Sequence, residues 1–185
     1  TFCERWSYGG NLLNIEGLWA KNGGKIFRNE VSMLINDIDT IADPDRNLYD
    51  KYSFFSKISN TSLITTRGCP HKCSYCYNDS FLKIFKGKGK IFRRRSVENV
   101  IREIQKVRES FPRVKSIQFY DDLFCCDIPK GWLHEFCKEY KKQIGLPFSI
   151  TAFASWLTDD SVRALKEANC ISIKMGVETG NEKVR

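Results

Sequence analysis

The chain has 185 residues, a net charge of +8 and eight cysteines, and 42% of its residues are hydrophobic. This is enough for one ordinary domain with a buried core, and no run approaches the roughly 18–20 apolar residues that a membrane-spanning helix needs. The start lacks the basic-then-apolar layout of a signal peptide. We therefore expect a cytoplasmic protein with no membrane partner. The absent initial Met and the abrupt end at GNEKVR predict a piece of a longer protein.

The first 55 residues contain a predicted hairpin and a linker. Residues 13–20 and 25–30 flank Lys-Asn-Gly-Gly, and Asn and Gly accept the positive φ of a tight turn. The acidic segment 35–52 is broken by Pro44 and has weak periodicity, which indicates a linker. We place a domain boundary near residue 55. Residues 1–55 would then be the end of an upstream domain plus its linker, and residues 56–185 the start of a second domain.

After this boundary, strand and helix patterns alternate. Short β-branched or apolar runs predict strands at residues 62–66, 115–124, 147–155 and 171–180. Helical periodicity and capping residues predict helices between them, at residues 96–111, 130–145 and 157–169. This order predicts an α/β fold with a parallel sheet and right-handed crossovers.

The residues that could carry chemistry follow the predicted strands. The segment Cys69–Cys76 comes after the first strand, Asp121 and Asp122 come after the second, and Glu178 ends the fourth. In proteins built on a parallel sheet, whether the sheet is open or closed into a barrel, ligands bind at the carboxyl ends of the strands. We therefore expect these side chains to share one rim of the sheet.

The segment CPHKCSYC places Cys69, Cys73 and Cys76 within eight positions. Thiolates are natural ligands of zinc and of iron–sulfur clusters. A structural zinc site usually has four protein ligands, and His71 is poorly placed to be the fourth. Three thiolates suit a cubane cluster that leaves one iron open, which is the reading we favour. Zinc and unliganded thiols are the alternatives.

The positive charge is concentrated between Lys83 and Arg95, where seven basic residues occur with no acidic one. The segment could be a solvated crossover loop. It could also be a patch for an anionic substrate, nucleic acid or an acidic redox partner. No basic and aromatic RNA-binding motif accompanies it, so nucleic acid is not an expected partner.

The cysteines outside the cysteine-rich segment have less distinctive surroundings. Cys137 and Cys170 lie in apolar patterns and are expected to be buried small hydrophobic residues. Cys125 and Cys126 follow the second strand, where burial is again the simpler reading. An auxiliary metal or substrate role is the alternative for this pair.

The segment CPHKCSYC resembles the CxxxCxΦC signature of the radical S-adenosylmethionine (SAM) enzymes, with Tyr75 as the aromatic residue. The resemblance implies that Cys69, Cys73 and Cys76 hold a [4Fe–4S] cluster whose open iron binds SAM. It implies reductive cleavage of SAM to a 5′-deoxyadenosyl radical, with electrons from a low-potential donor of the flavodoxin or ferredoxin type. The implied fold is a partial (β/α) radical SAM barrel of about four units, preceded by the N-terminal β-hairpin and linker.

Two further motifs resemble this family. IQFYDDLF is similar to the second-strand motif near the SAM amino group, which implies that Asp121 or Asp122 binds there, and strand parity allows only one to face the site. GVETG is similar to a fourth-strand motif whose carboxylate, here Glu178, lies near the SAM ribose or methionine. Gly176, on the same predicted strand face, would leave room for the cofactor. Tyr75 would also contact the cofactor, whereas no catalytic residue and no substrate are predicted.

Residues 12–50 resemble the segment that joins a cobalamin-binding domain to the radical core in the cobalamin-binding-type subfamily. The resemblance implies cobalamin held by an upstream domain, and a methyltransferase or related radical SAM reaction. Two departures stand out. The family core usually has six strand–helix units, whereas this chain ends after the fourth predicted strand. In addition, AFASW lacks the basic residue that many relatives carry after the third strand. The alternative function is a non-catalytic iron–sulfur or zinc module for electron transfer or binding.

Overall fold

The structure, a computed structural model, describes residues 2–54, 57–181 and 183. The chain forms two compact units. The hairpin unit comprises Thr1–Asn36 and Pro70–Ile91, and the sheet unit comprises Asp37–Cys69 and Phe92–Arg185. Within the described ranges, no helix is both long and apolar enough to cross a membrane. The domain boundary near residue 55 stays a prediction, because compact units and evolutionary domains need not coincide.

The hairpin unit contains two helices and the predicted hairpin. Its elements are α1 (Phe2–Ser7), β1 (Trp19–Asn22), β2 (Lys25–Arg28) and α2 (Tyr77–Ile84). Asn22 pairs with Lys25 in the antiparallel ladder, so the turn consists of Gly23 and Gly24. Both have positive φ, 56° and 79°, as a two-residue hairpin turn of the mirror-image type requires. The hairpin prediction is confirmed, with shorter strands than expected.

The sheet unit contains six strands, which are β3 (Asn60–Leu63), β4 (Thr66–Arg67), β5 (Arg93–Arg94), β6 (Ser116–Phe119), β7 (Phe148–Thr151) and β8 (Cys170–Lys174) among the described residues. Four of them form a parallel sheet in the order β3-β6-β7-β8. Its helices are α3 (Val97–Ser110), α4 (Trp132–Gln143) and α5 (Asp159–Glu167). The alternation of strands and helices confirms the predicted α/β fold.

The helices begin and end where their capping residues predict. The Ser96 side chain caps α3, and Thr158 caps α5 through reciprocal hydrogen bonds with Ser161. Gly145 and Asn169, which follow α4 and α5, have φ values of 68° and 75°. These left-handed residues let the chain leave each helix and enter the next strand.

The core lies between the sheet and its helices, and aromatic rings fill its centre. Phe136 of α4 is fully buried. Its ring lies 5.2–5.9 Å from five other aromatic rings, those of Phe119, Phe124, Trp132, Tyr140 and Phe148. These contacts join β6, α4 and β7, so packing around one side chain fixes three neighbouring elements.

The first predicted strand of the second domain is split in the structure. The strand expected over residues 62–66 ends at Leu63, and Thr66–Arg67 pair instead with Arg93–Arg94 in an antiparallel ribbon. Asp121 draws Thr65 and Thr66 away from the parallel ladder by accepting hydrogen bonds from both. The basic segment is therefore not one loop, because Lys83 belongs to α2 and two of its arginines form β5.

The predicted fourth strand is also shorter than expected. β8 ends at Lys174, where Ala152 donates its backbone N–H to the Lys174 carbonyl over 2.9 Å. The neighbouring chain then turns into a short 3-10 helix at Ala154–Trp156, so it offers no ladder to the residues after Lys174. The expectation that Gly176 and Glu178 share a strand face is therefore wrong.

We expect Phe136→Ala to lower the free energy of unfolding by about 3–5 kcal/mol, because it removes a fully buried ring and leaves a cavity. Chemical denaturation followed by circular dichroism measures this change. Lys138→Ala, an exposed position on the same helix, is the matched control and should change the free energy by less than about 0.5 kcal/mol. Equal effects of the two substitutions would contradict the central role of this ring.

Candidate functional site

The three cysteines of the CxxxCxxC segment form no disulfide and are of intermediate exposure. Cys69 ends a stretch of the sheet unit, whereas Cys73 and Cys76 belong to the hairpin unit. Cys76 donates its backbone N–H to the Cys73 carbonyl over 3.0 Å and is the N-cap residue of α2. The Asn78 amide contacts the Cys76 sulfur at 3.7 Å. The last of the three thiols therefore lies at the positive end of a helix dipole, where an anionic group is favoured.

The donor set fits an iron–sulfur cluster by its chemistry. None of the three thiols forms a disulfide, and cysteine thiolates are the usual ligands of such clusters. In the part of the chain that the structure describes, no three His, Cys, Asp or Glu side chains are gathered closely enough to hold a metal ion. The structure thus gives the identity and exposure of the predicted ligands, and their assignment to a cluster stays a prediction.

Four further cysteines of the sheet unit have raised pKa values. Burial raises the pKa of Cys125 and of Cys137 to about 12. Burial also raises the pKa of Cys126 and of Cys170. These four groups therefore stay protonated near neutral pH, whereas a metal ligand must be a thiolate. The prediction of a buried hydrophobic residue is confirmed for Cys137, whereas Cys170 is only partly buried. The protonated Cys125–Cys126 pair is poorly suited to an auxiliary metal.

Asp121 is buried at the carboxyl end of the sheet, and its side chain is fully engaged. One carboxylate oxygen accepts the backbone N–H groups of Thr65 and Thr66 at 2.8 and 2.6 Å and the Thr66 hydroxyl at 2.6 Å. The other accepts the Thr65 hydroxyl at 3.1 Å. Burial raises the pKa of Asp121, and these hydrogen bonds oppose the increase. Asp121 therefore fixes the position of Thr65 and Thr66, which lead to Cys69.

Arg94, whose guanidinium is largely buried, completes this arrangement. The Arg94 guanidinium lies 4.1 Å from the centre of the Trp132 ring, and its Nη2 donates to three backbone carbonyls, those of Leu123, Phe124 and Cys126. Burial lowers the pKa of Arg94 to about 10, and the charge of Asp121 opposes the decrease, so Arg94 stays charged at neutral pH. Its Nε and Nη1 atoms are buried without a hydrogen-bond partner among the described residues.

The sequence analysis did not predict a structural role for Arg94, although one feature of the sequence indicates that its side chain differs from its neighbours. Arg93, Arg94 and Arg95 are consecutive, and a strand through them must turn alternate side chains to opposite faces. The composition of the segment favoured exposure for all three. The structure instead buries the middle guanidinium against an aromatic ring and a row of carbonyls.

The two aspartates thus have different environments, because Asp121 is buried and Asp122 is exposed. Glu178 is exposed on the irregular segment after β8. A Cβ atom added to Gly176 would collide with the Glu178 carboxylate, so Glu178 itself fills the space next to this glycine. Tyr75 is 69% exposed in the turn before Cys76. The cofactor contacts expected of Tyr75, Asp122 and Glu178 stay predictions.

Comparison with known sequences gives one family match and two curated relatives. The family model described as the Radical SAM superfamily matches residues 63–185, well over half of the chain. An uncharacterized methyltransferase of Pyrococcus horikoshii, PH0819, is 30% identical over 182 residues, which are 96% of this chain and 37% of that protein. Cytidylyl-2-hydroxyethylphosphonate methyltransferase of Streptomyces wedmorensis is 27% identical over 124 residues, which are 66% of this chain and 21% of that protein.

Solved structures give the same fold. The chain is similar to the cobalamin-dependent SAM radical enzyme OxsB in its form with aqua-cobalamin and SAM bound, with a TM-score of 0.72 and 21% identity. The apo form of OxsB gives a TM-score of 0.69 and 19% identity. Each match covers 98% of this chain and 26% of the OxsB chain. Taken with the family model that spans residues 63–185, the sequence and the fold lead to one assignment: the chain belongs to the radical SAM superfamily.

Proposed function

We propose that the protein containing this chain is a radical SAM enzyme in which Cys69, Cys73 and Cys76 hold a [4Fe–4S] cluster. The observation that supports the proposal is that these three thiols are partly exposed and form no disulfide, whereas Cys125, Cys126 and Cys137 are buried in the sheet unit. When bound and reduced, the cluster supplies the electron that cleaves SAM to methionine and a 5′-deoxyadenosyl radical.

The residues of the chain would bind and orient the cofactor in this reaction. Three thiolates leave one coordination position for SAM, and the exposed Asp122 carboxylate could accept hydrogen bonds from the SAM ammonium. Asp121 would act one step away from the cofactor, because its oxygens are already engaged by Thr65 and Thr66. Positioning of this kind matters because the protein supplies orientation to a cofactor that carries the chemistry.

We further propose a cobalamin-dependent methyl transfer for the whole protein. Both curated relatives are named methyltransferases, and the similar solved structures are of a cobalamin-dependent enzyme. The chain spans 37% of the length of the first relative, so cobalamin would be held by a part of the protein that lies outside these residues. A simple electron carrier is disfavoured, because carriers have a fourth cysteine ligand, and Cys125, Cys126 and Cys137 are buried in the core.

An electron donor of low potential is the partner that this proposal requires. Lys83, Lys86, Lys88 and Lys90 belong to the hairpin unit, and all but Lys88 are exposed. Lys83 already pairs with Asp79 at 2.5 Å, which leaves the later lysines as the better candidates for a partner's surface. We propose that they attract an acidic flavodoxin-type donor, because clustered positive charge accelerates encounter with an anionic protein.

Anaerobic reconstitution of the full-length protein with iron and sulfide, followed by SAM and dithionite, should yield 5′-deoxyadenosine. Cys73→Ala should lose the cluster and nearly all of this product, because two thiolates do not retain a cubane. Iron content and chromatography of the nucleoside measure both effects. Cys3→Ala, at an exposed position in α1, is the control and should keep both. A cluster retained in the Cys73 variant would overturn the ligand assignment.

Substitution of Asp121 and substitution of Asp122 should affect different properties of the protein. Asp122→Asn should weaken SAM binding by about tenfold, as expected for the loss of one charge-assisted hydrogen bond, and leave the iron content unchanged. Asp121→Ala should lower the free energy of unfolding by about 2–5 kcal/mol, because buried donors lose their acceptor, and should lower the iron content. The SAM-induced change in the electron paramagnetic resonance spectrum measures binding. A fully stable, iron-loaded Asp121→Ala protein would contradict the structural role.

The proposed docking surface makes a separate prediction about ionic strength. Replacing Lys86 and Lys90 with Glu should lower kcat/KM for reduced flavodoxin by about tenfold at low salt and should weaken its salt dependence, because long-range attraction is lost. Rates with dithionite, a small chemical reductant, serve as the control and should not change. An equal loss with both reductants would place the lysines in the active site and not on a docking surface.

A further inference from the structure

The sheet unit encloses a positive charge that has no direct ionic partner among the described residues. The Arg94 guanidinium lies 4.1 Å from the centre of the Trp132 ring and donates to three backbone carbonyls, which carry no formal charge. None of the ion pairs between described side chains includes Arg94. Because a buried cation is costly unless anionic charge compensates for its lost hydration, we expect an anionic group nearby.

Asp121 supplies part of this anionic charge. Burial lowers the pKa of Arg94, and the charge of Asp121 opposes this decrease. The carboxylate oxygens of Asp121 accept their hydrogen bonds from Thr65 and Thr66, however, and not from the guanidinium. The Nε and Nη1 atoms of Arg94 are buried without a hydrogen-bond partner in the described part of the chain. A second anionic group can therefore act on Arg94 without displacing Asp121.

The backbone of Arg94 lies beside the start of the cysteine segment. Arg94 of β5 pairs with Thr66 of β4, and Cys69 follows Thr66 by three residues. Three residues of extended backbone span at most about 11 Å. Arg94, Thr66 and Cys69 all belong to the sheet unit. The buried cation and the first of the three predicted cluster ligands are therefore neighbours within one compact unit.

Cys126 provides a second link between these two groups. Its carbonyl accepts a hydrogen bond from Arg94 Nη2 over 2.8 Å. Burial raises the pKa of the Cys126 thiol, the charge of Arg94 opposes this increase, and the charge of Cys69 adds to it. Arg94 and Cys69 thus both lie within electrostatic range of the same thiol. This agrees with the proximity that the β4–β5 ribbon gives them.

A cluster bound at Cys69 would be the missing anionic group. The oxidised cubane core carries two positive charges, so three thiolates leave it with one net negative charge, and reduction adds a second. A nearby buried cation stabilises the doubly negative state more than the singly negative one. The reduction potential of such a cluster depends on the net charge and the hydrogen bonds around it. A fixed cation beside Cys69 therefore raises that potential.

We propose that Arg94 is the buried counter-charge of the cluster and raises its reduction potential. The role rests on the proposed function, because it requires a cluster at Cys69, Cys73 and Cys76. The electron comes from the low-potential donor, which is oxidised as the cluster is reduced, and a higher cluster potential makes this transfer more favourable. Arg67 is exposed and contributes less, because water and salt screen its charge.

The test measures the reduction potential of the cluster in the anaerobically reconstituted full-length protein without SAM. A redox titration is followed by electron paramagnetic resonance. Arg94→Gln removes the charge, Arg94→Lys keeps the charge and loses the planar fork, and Lys142→Gln removes an exposed charge of α4 as the control. Iron content and the free energy of unfolding are measured for each variant first.

We expect Arg94→Gln to lower the ratio of reduced to oxidised cluster at a fixed potential about tenfold, which is about 59 mV for a one-electron couple. Two unit charges about 10 Å apart at a dielectric constant of about 20 interact strongly enough for a change of this order. Arg94→Lys should stay within about threefold of the wild type, because the charge is kept. The Lys142→Gln potential should equal that of the wild type.

A purely structural role of Arg94 predicts a different pattern. Loss of the contacts with the backbone carbonyls would affect the glutamine and lysine variants alike. An unchanged potential in Arg94→Gln, or an equal decrease in both Arg94 variants, would therefore overturn the proposal. If Arg94→Gln does not retain its cluster, Arg94→Lys decides alone. A wild-type potential in the lysine variant supports the counter-charge, and a tenfold decrease in the reduced fraction overturns it.

Failure of this proposal can be distinguished from failure of the proposed function. A wild-type protein that takes up no cluster would overturn both. A wild-type protein that holds the cluster and forms 5′-deoxyadenosine, with a potential that does not respond to the charge at position 94, would overturn the role of Arg94 alone.

Discussion

The carboxylate of Asp121 accepts all four hydrogen bonds that the N–H groups and hydroxyls of Thr65 and Thr66 can donate. These residues lie between β3 and Cys69, whereas Asp121 follows the neighbouring β6. A buried carboxylate is costly unless donors compensate for its lost hydration, so the four donors and the aspartate stabilise one another. The start of the cysteine segment is thus fixed by a buried polar contact and not by the segment alone.

Arg94 connects the same segment to the loop that follows β6. Its backbone pairs with Thr66, and its guanidinium holds three carbonyls of residues 123–126. The charges of Arg94 and Asp121 attract each other. Among the ion pairs of the described residues, however, none joins these two side chains directly. Each charge instead organises backbone groups. The two together connect the approach to Cys69 with the loop that carries Asp122, so the predicted cofactor contacts depend on residues that need not touch the cofactor.

The sequence predicted the elements that depend on local periodicity. The helices predicted at residues 96–111 and 157–169 are confirmed, with Ser96 and Thr158 as their caps, because spacing and capping act within a few residues. Strand ends were predicted poorly, since a ladder stops where its neighbour turns away, as at Lys174. Helix α2 was not predicted, because it is only eight residues long and begins directly after Cys76. Burial of Asp121 beside an exposed Asp122 depends on Thr65 and Thr66, which are distant in sequence.

Burial also sorts the polar and sulfur-containing groups of this chain. Thiols inside the sheet core have raised pKa values and stay neutral, whereas the thiols of the cysteine segment are partly exposed. The same division separates the two faces of the sheet, one apolar under the helices and one lined by hydroxyl and amide groups. The chemistry that each group can perform therefore depends on whether it is buried in the core or exposed to solvent. A sequence motif identifies candidate ligands, and the fold determines which of them can be ionised, solvated or reached.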